Sequence, residues 1–130
     1  MSRALNDLDP QFRPLAVELI ARVVEHGIAV MIVCTGRTAA EQAIAVATGH
    51  SWVEHSKHQD GLAIDLCPFE TWALHGPDKL KWDTDDPVWP ILGAIGQGLG
   101  LKWAVVDRQG RRKDLGHFEY VAPKPGPVAA

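Results

Sequence analysis

One stretch of the chain organises the rest, SKHQDGLAID at residues 56–65. It places an imidazole, His58, seven residues before a carboxylate, Asp65, with a glycine turn and a short alternating run between them. Side chains alternate between the two faces of a strand, so the apolar side chains of this run can face a core while Asp65 points the other way. His58 precedes the strand and can fold back over Gly61 towards Asp65. An imidazole and a carboxylate held on a turn and a strand suit a small divalent metal such as zinc.

A second stretch, DLGHFEY at residues 114–120, supplies a third candidate ligand, His117. His58, Asp65 and His117 would form a three-ligand zinc site with the fourth position open to water, which distinguishes catalytic from structural zinc. Amide hydrolysis also needs a base that takes a proton from water and passes it to the leaving amine. We expect Asp114 to be this base. Glu119 is either a rival base or a partner that orients a metal ligand.

The ordered motifs Ser-x-His-x-x-Gly-x-Ala-x-Asp and Asp-x-x-His-Phe-Glu resemble those of the zinc peptidases that cut bacterial cell-wall peptides. These are the D-alanyl-D-alanine carboxypeptidase and L-alanyl-D-glutamate endopeptidase relatives, which share a fold with the hedgehog signalling domain. The resemblance extends upstream to TGRTAAEQ at residues 35–42, and so covers most of the chain. Between the motifs, the family often has a Trp-Gly-Gly-Asp-Trp-like segment. The chain has KWAVVD at residues 102–107 there, which keeps the tryptophan and the aspartate.

The resemblance implies roles for individual residues. It makes Asp114 the catalytic acid and base, and it implies that Arg37 and Gln42 help to bind substrate. The arginine would pair with a carboxylate of the peptide, since a guanidinium group holds a carboxylate through two hydrogen bonds. Ser56 would have a supporting role, hydrogen-bonding the substrate, although a serine that only forms a turn fits the sequence equally well.

Hydrophobic periodicity and capping signals predict the first half of the fold. A first helix begins at Asp9-Pro10, an N-cap followed by proline, and ends at Gly27. Residues 28–34 are nearly all apolar, which predicts a buried strand. Thr38 and Glu41 have the spacing of a capping box, so a second helix starts there. It ends near residue 48.

A third helix is predicted from the N-cap Asp86 to about Gly98, followed by two strands at 101–106 and 115–121 that form a hairpin. Close packing of this helix against a sheet would explain its three glycines, at positions 93, 96 and 98. Trp72 and Trp82 lie in the long connection before it. They could line a groove, but we expect at least one of them to pack over the sheet. The sequence thus predicts an α+β fold, a small antiparallel sheet packed against about three helices. The resemblance implies the hedgehog/DD-peptidase arrangement.

Length and composition predict one catalytic domain at residues 1–122 and a loose tail at 123–130. The formal net charge of −3 shows no excess of basic residues, so we do not expect nucleic acid as a partner. No apolar run reaches transmembrane length and no secretory signal is visible, so we expect no membrane insertion. We expect a monomer whose partner is the peptidoglycan stem peptide. Like phage-type lysis enzymes, it would be made in the host cytoplasm and reach the wall after release.

Three alternatives stay open. The chain could be a D-alanyl-D-alanine carboxypeptidase instead of an L-alanyl-D-glutamate endopeptidase, or a zinc-binding module of the same fold without catalysis. A cysteine hydrolase that uses Cys34 and a histidine is the third. We instead expect Cys34 and Cys67 to be buried free thiols. His50 and His55 are competing metal ligands, but they lack the turn-and-strand placement of His58.

Overall fold

The structure is a computed structural model that describes residues 1–51, 55–69 and 80–122. Its sheet has four strands: β1 (Val30–Cys34), β2 (Ala63–Pro68), β3 (Lys102–Val106) and β4 (Arg112–Glu119). The described residues also form three α-helices: α1 (Arg13–Glu25), α2 (Ala39–Ala47) and α3 (Val88–Gly98). Short 3-10 helices cover Leu5–Asp7 and Lys57–Asp60. The predicted tail at 123–130 and Trp72 lie outside the described residues.

The strands are ordered β1-β2-β4-β3, and every neighbouring pair is antiparallel. The alternation predicted around residue 64 is present, since Ile64 and Leu66 are completely buried in the core while Asp65 remains partly exposed. Phe12 and Leu19 from the α1 side, and Trp89 and Leu92 from α3, belong to the same core. The predicted α+β fold with a small antiparallel sheet and three helices is therefore confirmed. No helix in the described part of the chain has the length and apolar character needed to span a membrane.

The start of the first helix was predicted wrongly. The helix begins at Arg13, and Asp9 and Pro10 lie in the turn before it. The Asp9 carboxylate accepts from the amide of Gln11, and the Asp9 amide donates to the Gly61 carbonyl oxygen at 2.9 Å. This tertiary hydrogen bond ties the segment to the turn that carries His58. Asp9 caps this turn, because its carbonyl oxygen accepts from the amides of Phe12 and Arg13, and the regular α-helix starts only after the turn.

The second helix agrees with its prediction. Thr38 Oγ1 accepts from the amide of Glu41, and the Glu41 carboxylate accepts from the amide of Thr38, which completes the capping box. Gly49 follows in the left-handed region, with φ of +77°, a conformation that glycine adopts without a steric cost. Arg37 therefore lies in the short connection between the end of β1 at Cys34 and the N-cap of α2 at Thr38.

Two glycines let α3 approach the sheet closely. A Cβ atom added at Gly93 would overlap the ring of Trp103 on β3, and one added at Gly96 would overlap the ring of Phe118 on β4. The prediction that the glycines of this helix allow close packing is confirmed at these two positions. It is wrong for Gly98, where an added Cβ atom would meet nothing within 4 Å. The packing holds the β3–β4 hairpin, and with it His117, against the helix.

Candidate metal centre and active site

Strand register places three potential ligands in one row across the sheet. Cys34 on β1 is paired with Asp65 on β2, and Asp65 is paired with His117 on β4. Side chains of directly paired residues in an antiparallel sheet lie on the same face and close together. The sheet itself therefore brings a thiol, a carboxylate and an imidazole into contact.

His58 reaches this row from the short 3-10 helix that precedes β2. Ser56 caps that helix, because its hydroxyl accepts from the amide of His58 at 3.2 Å. Gly61 ends the helix with φ of +70°, and a Cβ atom there would collide with the backbone of residues 7–9. The amide of Arg37 donates to the carbonyl oxygen of His58 at 3.2 Å. The predicted turn over Gly61 is thus observed, and it carries the imidazole back over the sheet.

Both imidazoles converge on one oxygen atom of Asp65. His117 Nδ1 lies 2.8 Å from Asp65 Oδ1, and His58 Nε2 lies 3.1 Å from the same atom. The two rings meet edge to face, with centroids 5.2 Å apart. His58 is only 3% exposed. Its Nε2 atom is buried and has no properly aligned hydrogen bond within the described residues, although it lies close to Asp65.

This donor set fits zinc. Two imidazoles and one carboxylate are common zinc ligands, and a buried, unsatisfied nitrogen atom is the kind of group that a metal ion would saturate. Ligand atoms around a tetrahedral zinc ion with bonds of about 2.0–2.1 Å stand roughly 3.3 Å apart, so small outward shifts from the observed separations are enough. The ligand atoms of Cys34, His58 and Asp65 also lie within 4.8 Å of one another. The sheet thus gathers a fourth possible donor that the sequence interpretation had left out.

The cluster is strongly coupled electrostatically. Burial by itself would lower the pKa of His58, but its contacts with Asp65 and Cys34 raise the pKa to about 9. His117 follows the same pattern: burial opposes its charge, while Asp65 and Glu119 raise its pKa to about 9. Burial disfavours the charged form of Asp65, yet the two histidines hold its pKa well below the ordinary value. In the metal-free cluster Asp65 therefore favours the protonated form of both histidines, and the histidines favour the ionised form of Asp65.

Glu119 contacts the far side of His117. The Nε2–H group of His117 donates to Glu119 Oε1 at 2.9 Å. This hydrogen bond holds the pKa of Glu119 below its ordinary value against the opposing effect of burial, and nearby Lys102 and Lys57 act in the same direction. A carboxylate on one nitrogen of a ligating histidine orients the ring and makes its other nitrogen a better donor to metal. The position of Glu119 therefore matches the orienting role considered for it from the sequence.

Cys34 makes the corresponding contact with His58. Its Sγ atom lies 3.5 Å from His58 Nδ1 and 3.7 Å from the carbonyl oxygen of Gly36. The thiol is completely buried, as predicted, and so is Cys67. A buried sulfur that does not line the cavity is out of reach of a substrate carbonyl group, so the Cys34–His58 contact does not support a cysteine hydrolase.

A cavity of about 350 Å³ opens above the cluster. Asp114 lines it together with His58, Asp65 and His117. The second strand of the hairpin was predicted to begin at residue 115, whereas β4 begins at Arg112 and includes Asp114, in the left-handed region with φ of +49°. Aspartate tolerates this conformation better than most residues. The irregular backbone lies where the ladder between β3 and β4 shifts register, and the carboxyl group sits at the cavity wall.

Of the three predicted substrate-binding residues, Arg37 and Ser56 line the cavity and Gln42 lies behind Arg37. Arg37 lines the cavity, and its Nη1 atom donates to Gln42 Oε1 at 2.7 Å. Gln42 is completely buried behind it and donates to Ser51 at 2.9 Å. Ser56 lines the cavity but also caps the helix of His58. Substrate contact by these residues stays a prediction.

The competing histidines lie in the cavity wall, outside the cluster around Asp65. His55 is exposed and pairs with Asp60 at 2.9 Å, and His50 contacts the hydroxyl of Thr48 at 2.9 Å. Both line the cavity. Neither approaches Asp65 in the way that His58 and His117 do.

The rim of the cavity carries residues that the site prediction did not include. Trp82 is 54% exposed and stacks on the buried Trp89, with ring centroids 6.3 Å apart. It lines the cavity, so the suggestion that Trp82 lines a groove is confirmed. Lys57 and Lys102 line the cavity as well. Each lysine is adjacent in sequence to a motif residue, His58 or Trp103, and this adjacency was the available signal for them.

The fold is similar to those of two solved structures, and the likeness concerns the fold alone. The L-Ala D-Glu endopeptidase ChiX of Serratia marcescens matches with a TM-score of 0.62 and 20% identity, over 90% of this chain and 83% of ChiX. VanYB, solved in complex with D-alanine-D-alanine, matches with a TM-score of 0.58 and 18% identity, over 88% of this chain and 72% of VanYB. The fold implied by the motif resemblance is thereby confirmed. No protein-family model and no curated protein matches the sequence.

Proposed function

We propose that this chain is a zinc-dependent hydrolase of peptidoglycan stem peptides, and that it cuts the bond between L-alanine and D-glutamate. The observation that carries the proposal is the convergence of His58 and His117 on Asp65 beneath an open cavity that Asp114 also lines. The shared fold of ChiX, an L-Ala D-Glu endopeptidase, supports the choice of bond.

His58, Asp65 and His117 would hold the metal. Zinc in such a site supplies a Lewis acid that polarises a carbonyl oxygen and makes hydroxide available near neutral pH. The nitrogen of His117 that faces Asp65 is Nδ1, and Glu119 accepts from its other nitrogen. Cys34 contacts His58 as Glu119 contacts His117: the sulfur lies next to Nδ1, and Nε2 faces Asp65. Each histidine is thus oriented from behind by a partner of its own.

Asp114 would transfer the proton. It is at the cavity wall and forms no ion pair with a described residue, unlike Asp65 and Glu119, which contact histidines. A carboxylate in this position can accept a proton from water and return it to the leaving amine. Arg37 would bind a substrate carboxylate, since Gln42 fixes one side of its guanidinium group and leaves the rest of the fork at the cavity.

The experiment is digestion of purified peptidoglycan by zinc-loaded protein, with and without a zinc chelator, followed by mass spectrometry of the fragments. New chelator-sensitive ends between L-alanine and D-glutamate are expected. Release of free D-alanine would keep the metal-dependent mechanism but assign the chain as a D-alanyl-D-alanine carboxypeptidase, which the likeness to VanYB makes the second candidate. Intact peptidoglycan from several wall types after treatment with folded, zinc-loaded protein would favour a non-catalytic zinc-binding module.

A role in lysis, expected from the likeness to phage-type lysis enzymes, belongs to the same proposal. Its test is the turbidity of a suspension of bacteria with permeabilised outer layers. The zinc-loaded protein is expected to clear the suspension, and the Asp114→Asn variant is expected to leave it turbid. Equal clearing by both proteins would show that the proposed catalytic residue is not needed for lysis.

A further inference from the structure

Three cationic side chains line the cavity, Arg37, Lys57 and Lys102. The cavity also contains three carboxylates, but two of them, Asp65 and Glu119, are already engaged by the histidines. Neither lysine forms a salt bridge with any residue in the described part of the chain. Neither ammonium group is therefore held in a close ion pair, although both lie near enough to Glu119 to lower its pKa.

The cations lie on different sides of the metal cluster. Arg37 follows β1, at one edge of the sheet, and Lys102 is on β3, at the other edge. Asp65 and His117 are on β2 and β4 between these edges. Lys102 is directly paired with Glu119 in the ladder between β3 and β4. A peptide that crosses the cluster from edge to edge would thus meet the arginine on one side and a lysine on the other.

Lys57 reaches the same cavity from the helix that carries His58. It comes directly before a buried metal-ligand candidate, yet its own side chain is exposed. Two ammonium groups from separate elements therefore face one cavity, and neither is within salt-bridge distance of Glu119, the carboxylate whose pKa they lower.

We propose that Lys57 and Lys102 form a subsite for a free carboxylate next to the scissile bond, separate from the carboxylate expected at Arg37. This inference rests on the proposed function. A substrate with an L-alanyl-D-glutamate bond has such a carboxylate, because D-glutamate keeps one carboxylate free whichever of its two carboxyl groups is joined to the next residue. A C-terminal D-alanine offers the same chemistry through its terminal carboxylate. The subsite would therefore distinguish substrates with a free carboxylate from those in which this group is a carboxamide.

The test uses two pairs of synthetic peptides. The first pair contains L-alanyl-D-glutamate joined to L-lysine, with the remaining glutamate carboxyl group either free or converted to a carboxamide. The second pair ends in D-alanyl-D-alanine, with a free or amidated C-terminus. KM and kcat are measured for the zinc-loaded wild type, Lys57→Gln, Lys102→Gln and the double variant. Arg108→Gln is the control, because it removes one positive charge from an exposed turn that does not line the cavity.

The wild type is expected to cleave one of the two pairs and, within that pair, to prefer the peptide with the free carboxylate. The pair that is cleaved shows whether this carboxylate belongs to D-glutamate or to a C-terminal D-alanine. Each single variant should raise KM for the acid peptide about threefold to fivefold, as expected for loss of a solvent-exposed ion pair, and the double variant about tenfold. The carboxamide peptide and kcat should change less than about twofold, and Arg108→Gln should behave as the wild type.

Two results would overturn the inference, and they are distinguishable. Cleavage of acid and carboxamide peptides at equal rates, unchanged in the lysine variants, would remove the subsite and leave the proposed function intact. Failure of the folded, zinc-loaded wild type to cut any of the four peptides would remove the proposed function, and the subsite with it.

Discussion

The sulfur atom of Cys34 lies 3.5 Å from Nδ1 of His58, with both side chains buried. The thiol also lies 3.7 Å from the carbonyl oxygen of Gly36, which is the acceptor for its S–H group. The sulfur is then an acceptor for Nδ1–H of the imidazole. When the ring is neutral, this arrangement leaves the Nε2 lone pair of His58 directed at the metal cluster. Cys34 thus holds the histidine in the tautomer that can bind a metal.

Replacement of Cys34 by valine should therefore weaken zinc binding about tenfold, because partners behind a ligating histidine typically contribute at least that much to metal affinity. Cys34→Ser keeps a hydrogen-bonding group and should lose less. Zinc affinity is measured by competition with a chromogenic chelator. Cys67→Val is the matched control, a second buried thiol that does not line the cavity. Wild-type affinity in Cys34→Val would show that the contact is only packing.

Asp114→Asn should lower kcat about 10²- to 10⁴-fold, the usual contribution of a general acid or base, while zinc content stays at the wild-type level. Asparagine is the right replacement because it also tolerates the positive φ of +49° observed at this position. The readouts are turnover of a stem peptide and bound zinc per chain. Asp85→Asn, an exposed aspartate that does not line the cavity, should retain full activity. Full activity in Asp114→Asn would support a role for Glu119 as the base, or a function without catalysis.

Zinc affinity should rise with pH between about 6 and 9. In the metal-free protein the pKa of His58 and that of His117 are both about 9, so both imidazoles are protonated at neutral pH. Zinc must displace those protons, and its apparent affinity falls as pH drops below the histidine pKa, by up to roughly tenfold per pH unit for each proton displaced. Chelator competition at several pH values measures the slope. His55→Gln should keep this slope, because His55 is outside the cluster; a flat profile in the wild type would contradict the account.

Gly96→Ala should destabilise the fold by about 1–3 kcal/mol, because the new methyl group would overlap the ring of Phe118 and force α3 away from the sheet. Gly98→Ala is the control in the same helix. Its methyl group would meet nothing within 4 Å, so it should be neutral or stabilise the helix by about 0.5 kcal/mol. The free energy of unfolding in urea separates the two. Equal stability of both variants would show that Gly96 is not a close-packing position.

Much of the site could be read from the sequence because it depends on local rules. Strand alternation placed Asp65 opposite the core residues, and the glycine at 61 allowed His58 to turn back over the strand. The hairpin of β3 and β4 was expected to carry His117, and strand pairing then brings it to Asp65. These inferences need only the period of a strand and the conformational freedom of one glycine.

The contact of Cys34 with the cluster was missed because it depends on an irregularity of the sheet. The register of β1 on β2 shifts between Ile32 and Cys34, and this shift aligns Cys34 with Asp65. A bulge changes which side chains face which side, and no regular pattern in the apolar run 28–34 predicts it. A similar shift between Trp103 and Val105 accompanies the unusual backbone of Asp114. The contact of Cys34 with His58 therefore becomes visible only in three dimensions.

The central claim is that His58, Asp65 and His117 form a zinc site that hydrolyses a peptide. The most direct test is restoration of activity: the protein is stripped with a chelator, and turnover of an L-alanyl-D-glutamate peptide is followed as zinc is added back. The account predicts no turnover by the stripped protein, and activity that rises linearly and saturates at one zinc ion per chain. Full activity of the stripped protein, or zinc bound at one per chain in His117→Ala with activity unchanged, would contradict it.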